Sequence, residues 1–142
     1  LAADKAADRD LTLLLEPLNR RDHPQYFYST VAEAADLVAD SGRSNIKLQF
    51  DVYHVGVGEG DILTKLQRHL PLIGHVQIAA VPTRAEPDEG EVAYGAVFHR
   101  LDQLGYGGWV GCEYRPRALT DDGLRWADVL GVKLSPLPQA GQ

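Results

Sequence analysis

Methionine is absent from the 142 residues, and cysteine occurs once, at Cys112. A lone thiol forms no internal disulfide, so a stapled secreted scaffold is excluded. Lysine and arginine number 14 against 20 aspartates and glutamates, for a net charge of -6, and they form no run. The chain therefore lacks the basic face that would hold nucleic acid. No apolar stretch approaches the ~18 residues of a membrane span, and none has the form of a signal peptide. The expected setting is the cytoplasm, with neither nucleic acid nor membrane as a partner. A translated product begins with Met, whereas this chain begins at Leu1, so it reads as a processed product or a fragment. What is present is globular: 44% hydrophobic and 24% charged residues, at a length that suits one domain.

Four short aliphatic runs read as strands: Leu11–Glu16, Ile46–Asp51, Gly74–Ala79 and Gly108–Glu113. Gly, Pro or Asn bounds each of them. Helical signals fall between them. Thr30 and Glu33 form a capping box, with Gly42 suited to the left-handed position beyond the helix end. Asp61 is an N-cap candidate for Ile62–Leu70, which Pro71 should stop. A third helix is expected over Tyr94–Leu104, ended by Gly105. A fourth, capped by Thr120, should carry Leu124, Ala127 and Leu130 to Gly131. Residues 1–10 read as the end of an earlier helix, and 134–142 as a loose tail. Strand and helix alternating four times imply parallel βαβ units. Two architectures fit: half of an eight-stranded (β/α)8 barrel, or a doubly wound sheet of four strands. The second would need a Gly-rich phosphate turn for a nucleotide role, and none is present.

Side chains alternate across a strand. Leu48 and Phe50 oppose Gln49 and Asp51; Val76 and Ile78 oppose His75 and Gln77; Val110 and Cys112 oppose Gly111 and Glu113; Leu13 and Leu15 oppose Leu14 and Glu16. The apolar faces should pack on helices. The other faces bring Glu16, Asp51, Gln77 and Glu113 to the C-terminal ends of the strands, where barrel active sites sit. Three carboxylates and an amide oxygen are a hard-donor set suited to Mg²⁺ or Mn²⁺. Without a cation the acids would raise one another's pKa.

Several motifs in order now point to a family. Leu15-Glu-Pro-Leu-Asn19, Asp51-Val-Tyr-His54, Gly74-His-Val-Gln-Ile-Ala-Ala-Val-Pro82, Arg84-Ala-Glu-Pro87, Gly90-Glu91 and Gly111-Cys-Glu-Tyr-Arg-Pro116 resemble hydroxypyruvate isomerase, a branch of the xylose isomerase-like TIM barrels beside the ketose 3-epimerases. The resemblance runs from about Leu11 to about Trp126 and matches the second half of that barrel, strands five to eight. It implies a C-terminal half over residues 1–133, with the first four βα units missing. It also implies metal ligation by Glu16, Asp51, Gln77 and Glu113, acid/base roles for Glu16 and Glu113, and substrate binding by His54 and Arg84. Related epimerases carry His where Gln77 stands.

The reaction implied is interconversion of hydroxypyruvate and 2-hydroxy-3-oxopropanoate (tartronate semialdehyde). A carboxylate takes a proton, an enediolate forms, and the proton returns to the neighbouring carbon, with a divalent cation stabilising the developing charge. A metal-dependent epimerase or isomerase of a neighbouring branch is the alternative. So is an inactive half-barrel that only assembles with a partner, since open strand edges invite pairing with a second copy or with the missing half. A nuclease or phosphatase would want several His ligands for zinc, and the site strands offer few.

Other residues carry blander expectations. His69 and His99 should face solvent, His75 should be a satisfied structural histidine rather than a support of the site, and His23 is a candidate substrate contact. Cys112 should be a small buried hydrophobe, Trp109 a core residue, and Glu86–Glu91 a solvated turn.

Overall fold

The strands are shorter at the edges of the sheet than in its middle. In the computed structural model, which describes residues 1–133, they are β1 (Leu13–Leu15), β2 (Ile46–Asp51), β3 (Ile73–Ile78) and β4 (Val110–Cys112). The tail expected over 134–142 lies outside the described residues. All pairings are parallel, in the order β1-β2-β3-β4. Leu15 stands opposite Leu48, Asp51 opposite Gln77, and Gln77 opposite Gly111. Sequential order with right-handed crossovers puts the connecting helices on one face and leaves the other free. A doubly wound sheet reverses its order at a switch point, and this one never does. The barrel-type expectation is met, as four βα units. Among the described residues β1 and β4 each pair on one side only, and three residues of each enter the ladder while the flanking Thr12, Glu16, Trp109 and Glu113 do not.

The helices are α1 (Ala2–Ala7), α2 (Val31–Asp40), α3 (Val52–Gly58), α4 (Ile62–His69), α5 (Tyr94–Gln103), α6 (Thr120–Gly123) and α7 (Trp126–Val129). The core lies between them and the sheet. Leu48, Phe50, Val76 and Ile78 point into it from β2 and β3. Val31 and Ala34 of α2, Leu66 of α4, Tyr94, Val97 and Leu101 of α5, and Trp126 of α7 close it. The strand parity read from the sequence is therefore the one observed.

The capping box is complete. The Thr30 hydroxyl accepts from the Glu33 N–H, and the Glu33 carboxylate accepts from the Thr30 N–H. Gly42 takes the left-handed conformation at φ +61°. α3 was not expected, because Val52-Tyr-His-Val-Gly-Val-Gly58 is a poor helix former. Its start is fixed by Asp51, whose Oδ1 accepts from the Tyr53 N–H at 2.8 Å.

Four expectations need correction. Asp61 stands at the N-cap position of α4, but its backbone is left-handed and its side chain makes no capping bond. Pro71, by contrast, stops the helix as expected: α4 ends at His69 with Leu70 as its C-cap, and Pro71 sits in the 3-10 turn Leu70–Leu72 that follows. The helix expected from Thr120 to Gly131 is two four-residue turns with no side-chain cap, broken near Gly123, where a Cβ would stand 2.3 Å from Glu86 Oε1. Trp109 and Cys112 are exposed rather than buried, Trp109 at 64%. β4 is an edge covered only by short helices, so Trp109, Cys112, Phe98 and Trp126 line an open cavity of about 880 Å³ instead of a closed core.

Thr30→Ala removes one half of the capping box. It should lower unfolding stability by ~1 kcal/mol in a denaturant titration, with little change in the slope.

Candidate active site

Glu16 follows β1, Asp51 ends β2, Gln77 lies in β3 and Glu113 follows β4. Glu16, Asp51 and His54 converge most closely, with one ligand-type atom from each within 4.8 Å of the others. His54 Nε2 stands 3.9 Å from Glu16 Oε1 and 3.7 Å from Asp51 Oδ2. Glu113 enters through Arg84, whose Nη2 donates to Glu113 Oε2 at 2.5 Å and stands 3.9 Å from Asp51 Oδ2. Gln77 is aligned with Asp51 in the ladder, and its Oε1 accepts from Gln49 Nε2. Gln49 also lies near Glu16, where its amide works to lower the Glu16 pKa against burial.

The acids are poorly satisfied. Glu16 Oε1 and Asp51 Oδ2 are buried and have no hydrogen-bond donor among the described residues. Burial, together with the neighbouring Glu16 and Glu113 charges, pushes Asp51 up to about 7, even though the Tyr53 N–H and Arg84 act against it. Burial likewise raises Glu16, with Glu113 adding to the rise. A buried anionic oxygen without a donor is unfavourable unless a cation or proton meets it. Two such oxygens, beside further oxygen donors on β3 and β4, fit a hard divalent cation.

His54 is held from behind. Its Nδ1 accepts from the Asn19 backbone N–H at 3.1 Å and lies 2.7 Å from Asn19 Nδ2. A backbone N–H can only donate, so Nδ1 carries no proton. Burial, with Arg84 and His23 nearby, lowers His54 to about 4, so the ring is neutral near pH 7. Its one proton must then sit on Nε2, pointing at the carboxylates. His54 is thus a hydrogen-bond donor toward the site, not a free lone pair for a metal.

Arg84 is fixed just as firmly. Its guanidinium lies 4.7 Å from the Tyr53 ring centroid. The Tyr53 hydroxyl donates to Asp22 at 2.6 Å and accepts from Arg21 at 2.9 Å. The Tyr53, Asn19 and Arg21 hydrogen bonds together outweigh burial and hold the Asp22 carboxyl well below the usual range. His23, the weaker substrate candidate, lies exposed, 5.8 Å between ring centroids from His54. His75 packs against Gly111, where a Cβ would meet its Nε2 at 2.6 Å.

Sequence reasoning passed over Asn19, Gln49 and Tyr53. Asn19 and Tyr53 lie within the quoted motifs, and Gln49 has the inward parity of Asp51; each was legible as polar and well placed. The acidic loop 86–91 is not a solvated turn throughout. Glu86 is 1% exposed and paired to Arg117, because its carboxylate is folded under the loop that follows β4.

A family description, the xylose isomerase-like TIM barrel, matches residues 1–130. The chain is 50% identical over 125 residues to 2-oxo-tetronate isomerase of Cupriavidus necator, covering 88% of this chain and 48% of that protein. It is 40% identical over 127 residues to hydroxypyruvate isomerase of Escherichia coli, covering 89% and 49%. Among solved structures it superposes on an AP endonuclease, family 2, from Brucella melitensis with a TM-score of 0.86 at 46% identity, covering 90% of this chain and 50% of that one. The chain spans about half the length of the curated relatives it matches.

An acid whose folded pKa lies above its unfolded value gives up its proton more readily on unfolding. The metal-free protein should therefore lose stability as pH rises from about 4 to about 7, the window Asp51 sets. Asp51→Asn keeps an oxygen for the Tyr53 N–H and removes the charge. In thermal melts at pH 8 with chelator, this variant should be more stable than the parent, by at most about 4 kcal/mol. Equal melting at pH 8 would show that Asp51 titrates normally.

Proposed function

The chain belongs to the xylose isomerase-like TIM barrel family, and from that premise we propose that it supplies the catalytic half of an isomerase acting on small 2-oxo hydroxy acids. The reaction is the interconversion of hydroxypyruvate and 2-hydroxy-3-oxopropanoate. The observation that carries the reading is the pair of buried, donorless oxygens on Glu16 and Asp51, facing a neutral His54 and flanked by Arg84 and Glu113. The reading takes residues 1–133 as the last four βα units of a barrel. Closing that barrel needs four more strands, from a complementary half or a second copy.

The residues divide the work by their chemistry. Glu16, Asp51, Gln77 and Glu113 would hold a Mg²⁺ or Mn²⁺ ion, which when bound supplies Lewis-acid stabilisation of negative charge on the substrate oxygens. Arg84 offers a fork of N–H donors to the substrate carboxylate, and its seat on Tyr53 limits where that carboxylate can lie. The His54 Nε2–H donates to the substrate oxygen on which charge builds as the enediolate forms. One of Glu16 and Glu113 removes a proton from C3 of hydroxypyruvate, and a proton is then delivered to C2. The hydroxyl proton on C3 is lost as the C2 oxygen gains one, so the sum of atoms is unchanged and no oxidant enters. Asn19 keeps His54 in the donor tautomer throughout.

A second substrate has its own support: the relative at 50% identity is named for 2-oxo-tetronate, a longer 2-oxo acid. The same proton transfer between adjacent carbons would serve it.

Proton NMR of the chain with either acid separates these readings. Isomer should form with Mg²⁺ or Mn²⁺ and stop with chelator, and the faster acid is the substrate class. Glu113→Gln should lower turnover by at least ~10²-fold while the protein stays folded. Turnover that ignores the chelator, or that survives Glu113→Gln, would remove the assignment.

A further inference from the structure

We propose that Glu86 and Arg117 form a cross-loop clamp that positions the Arg84–Glu113 pair, so that Arg117 is a positioning residue acting through Glu113. This rests on the proposed cation site and extends it to residues outside it.

Glu86 lies two residues after Arg84 on the loop leaving β3, and Arg117 lies four after Glu113 on the loop leaving β4. The Glu86 carboxylate is almost wholly buried, an unusual place for a loop acid. It accepts from the Arg117 backbone N–H at 3.1 and 3.2 Å and from Arg117 Nε at 2.9 Å. The other guanidinium nitrogens reach Asp88 at 2.6 Å and Glu89 at 2.9 Å. Every nitrogen of one side chain is thus committed to the loop that carries Arg84. Two residues back, the Arg115 N–H donates to the Arg84 carbonyl at 2.7 Å. The loops are zipped in steps of two: 84 with 115, then 86 with 117.

The zip is holding something that would otherwise relax. Arg84 has φ +58°, in the left-handed region that a side chain with a Cβ rarely adopts. The surrounding chain is over-determined. The Ala80 N–H donates to the Ala85 carbonyl, and the Arg84 N–H donates to the Ala80 carbonyl. The Glu91 N–H donates to the Val81 carbonyl, where Gly90 passes too close for any Cβ. In this pose Arg84 reaches both Glu113 and Asp51. Glu113 itself is half exposed, just past an edge strand of three residues, and the sheet alone does little to fix it.

The sign of the effect on cation binding distinguishes this role from a bulk field. Removing a positive charge should by itself tighten a nearby cation site. Loss of positioning should weaken it. Mn²⁺ affinity would be measured by calorimetry on the full chain, well below the melting temperature, for the parent, Arg117→Met, Glu113→Gln and the double variant. Arg117→Met should weaken Mn²⁺ binding at least fivefold, and should add nothing in the Glu113→Gln background. Arg117→Lys keeps a charge beside Glu86 but loses the fork; it should fold where the Met variant does not, and should also bind Mn²⁺ more weakly than the parent. A lowered melting temperature with unchanged or tighter Mn²⁺ binding would overturn the clamp as a positioning device. So would a weakening that persists in Glu113→Gln. If the parent binds no Mn²⁺ at all, the cation site falls and the inference falls with it; parent binding with no effect of Arg117 sinks the inference alone.

Discussion

Negative charge gathered at the carboxyl ends of parallel strands is the constraint on which the rest of this structure depends. Glu16 and Asp51 are brought together by adjacent strands, with Glu113 two strands further along. Asp51 is held in the ladder itself, and Glu16 and Glu113 each follow directly on a paired strand end. The chain answers with few positive groups. Arg84 is shared between Glu113 and Asp51. His54, which might have helped as a cation, is kept neutral by burial and by the Asn19 N–H on its Nδ1. A site left short of positive charge in this way suits a divalent cation.

Asp51 shows how fold and chemistry are tied at one residue. Its Oδ1 caps α3 through the Tyr53 N–H, and its Oδ2 is the donorless oxygen of the site. The cap fixes the rotamer, so Oδ2 has one place to be. It also starts the helix that delivers Tyr53 to Arg84 and His54 to the carboxylates. Strand end, helix start and both partner side chains therefore follow from a four-residue motif. The weak helix propensity of Val52-Tyr-His-Val-Gly-Val-Gly58 is overridden by that cap and by the burial of Val52 and Val55.

Much of this was legible in the sequence, and the reasons are physical. β2 and β3 were readable because both of their edges are paired and one face is fully buried, which enforces alternation along Ile46–Asp51 and through Val76 and Ile78. The same alternation located Glu16, Asp51, Gln77 and Glu113 on the free face. Elements that failed are those whose structure depends on distant partners. α3 forms against its propensity. The helix from Thr120 breaks where Gly123 lies against Glu86, a contact between residues 37 positions apart that no local pattern reports. Trp109 has the composition of core, but on an edge strand it has nothing to be buried under.

The tautomer of His54 was the least readable feature, and it changes what the site can do. The resemblance implies substrate binding for His54, whereas its proximity to Glu16 and Asp51 by itself suggests a third metal ligand. The Asn19 main-chain N–H decides otherwise, because it can only donate and so occupies the Nδ1 lone pair. The proton displaced to Nε2 faces two carboxylate oxygens at distances longer than a hydrogen bond, 3.7 and 3.9 Å. Neither carboxylate takes that N–H, so its donor position is left for another acceptor. An oxygen placed there would accept from His54 while lying beside the two carboxylates, the position that the proposed mechanism gives the substrate oxygen on which charge builds. A lone pair at Nε2 would have repelled that oxygen; the N–H attracts it. One backbone amide, set by the turn after β1, thus makes Nε2 of His54 a donor that faces the carboxylates.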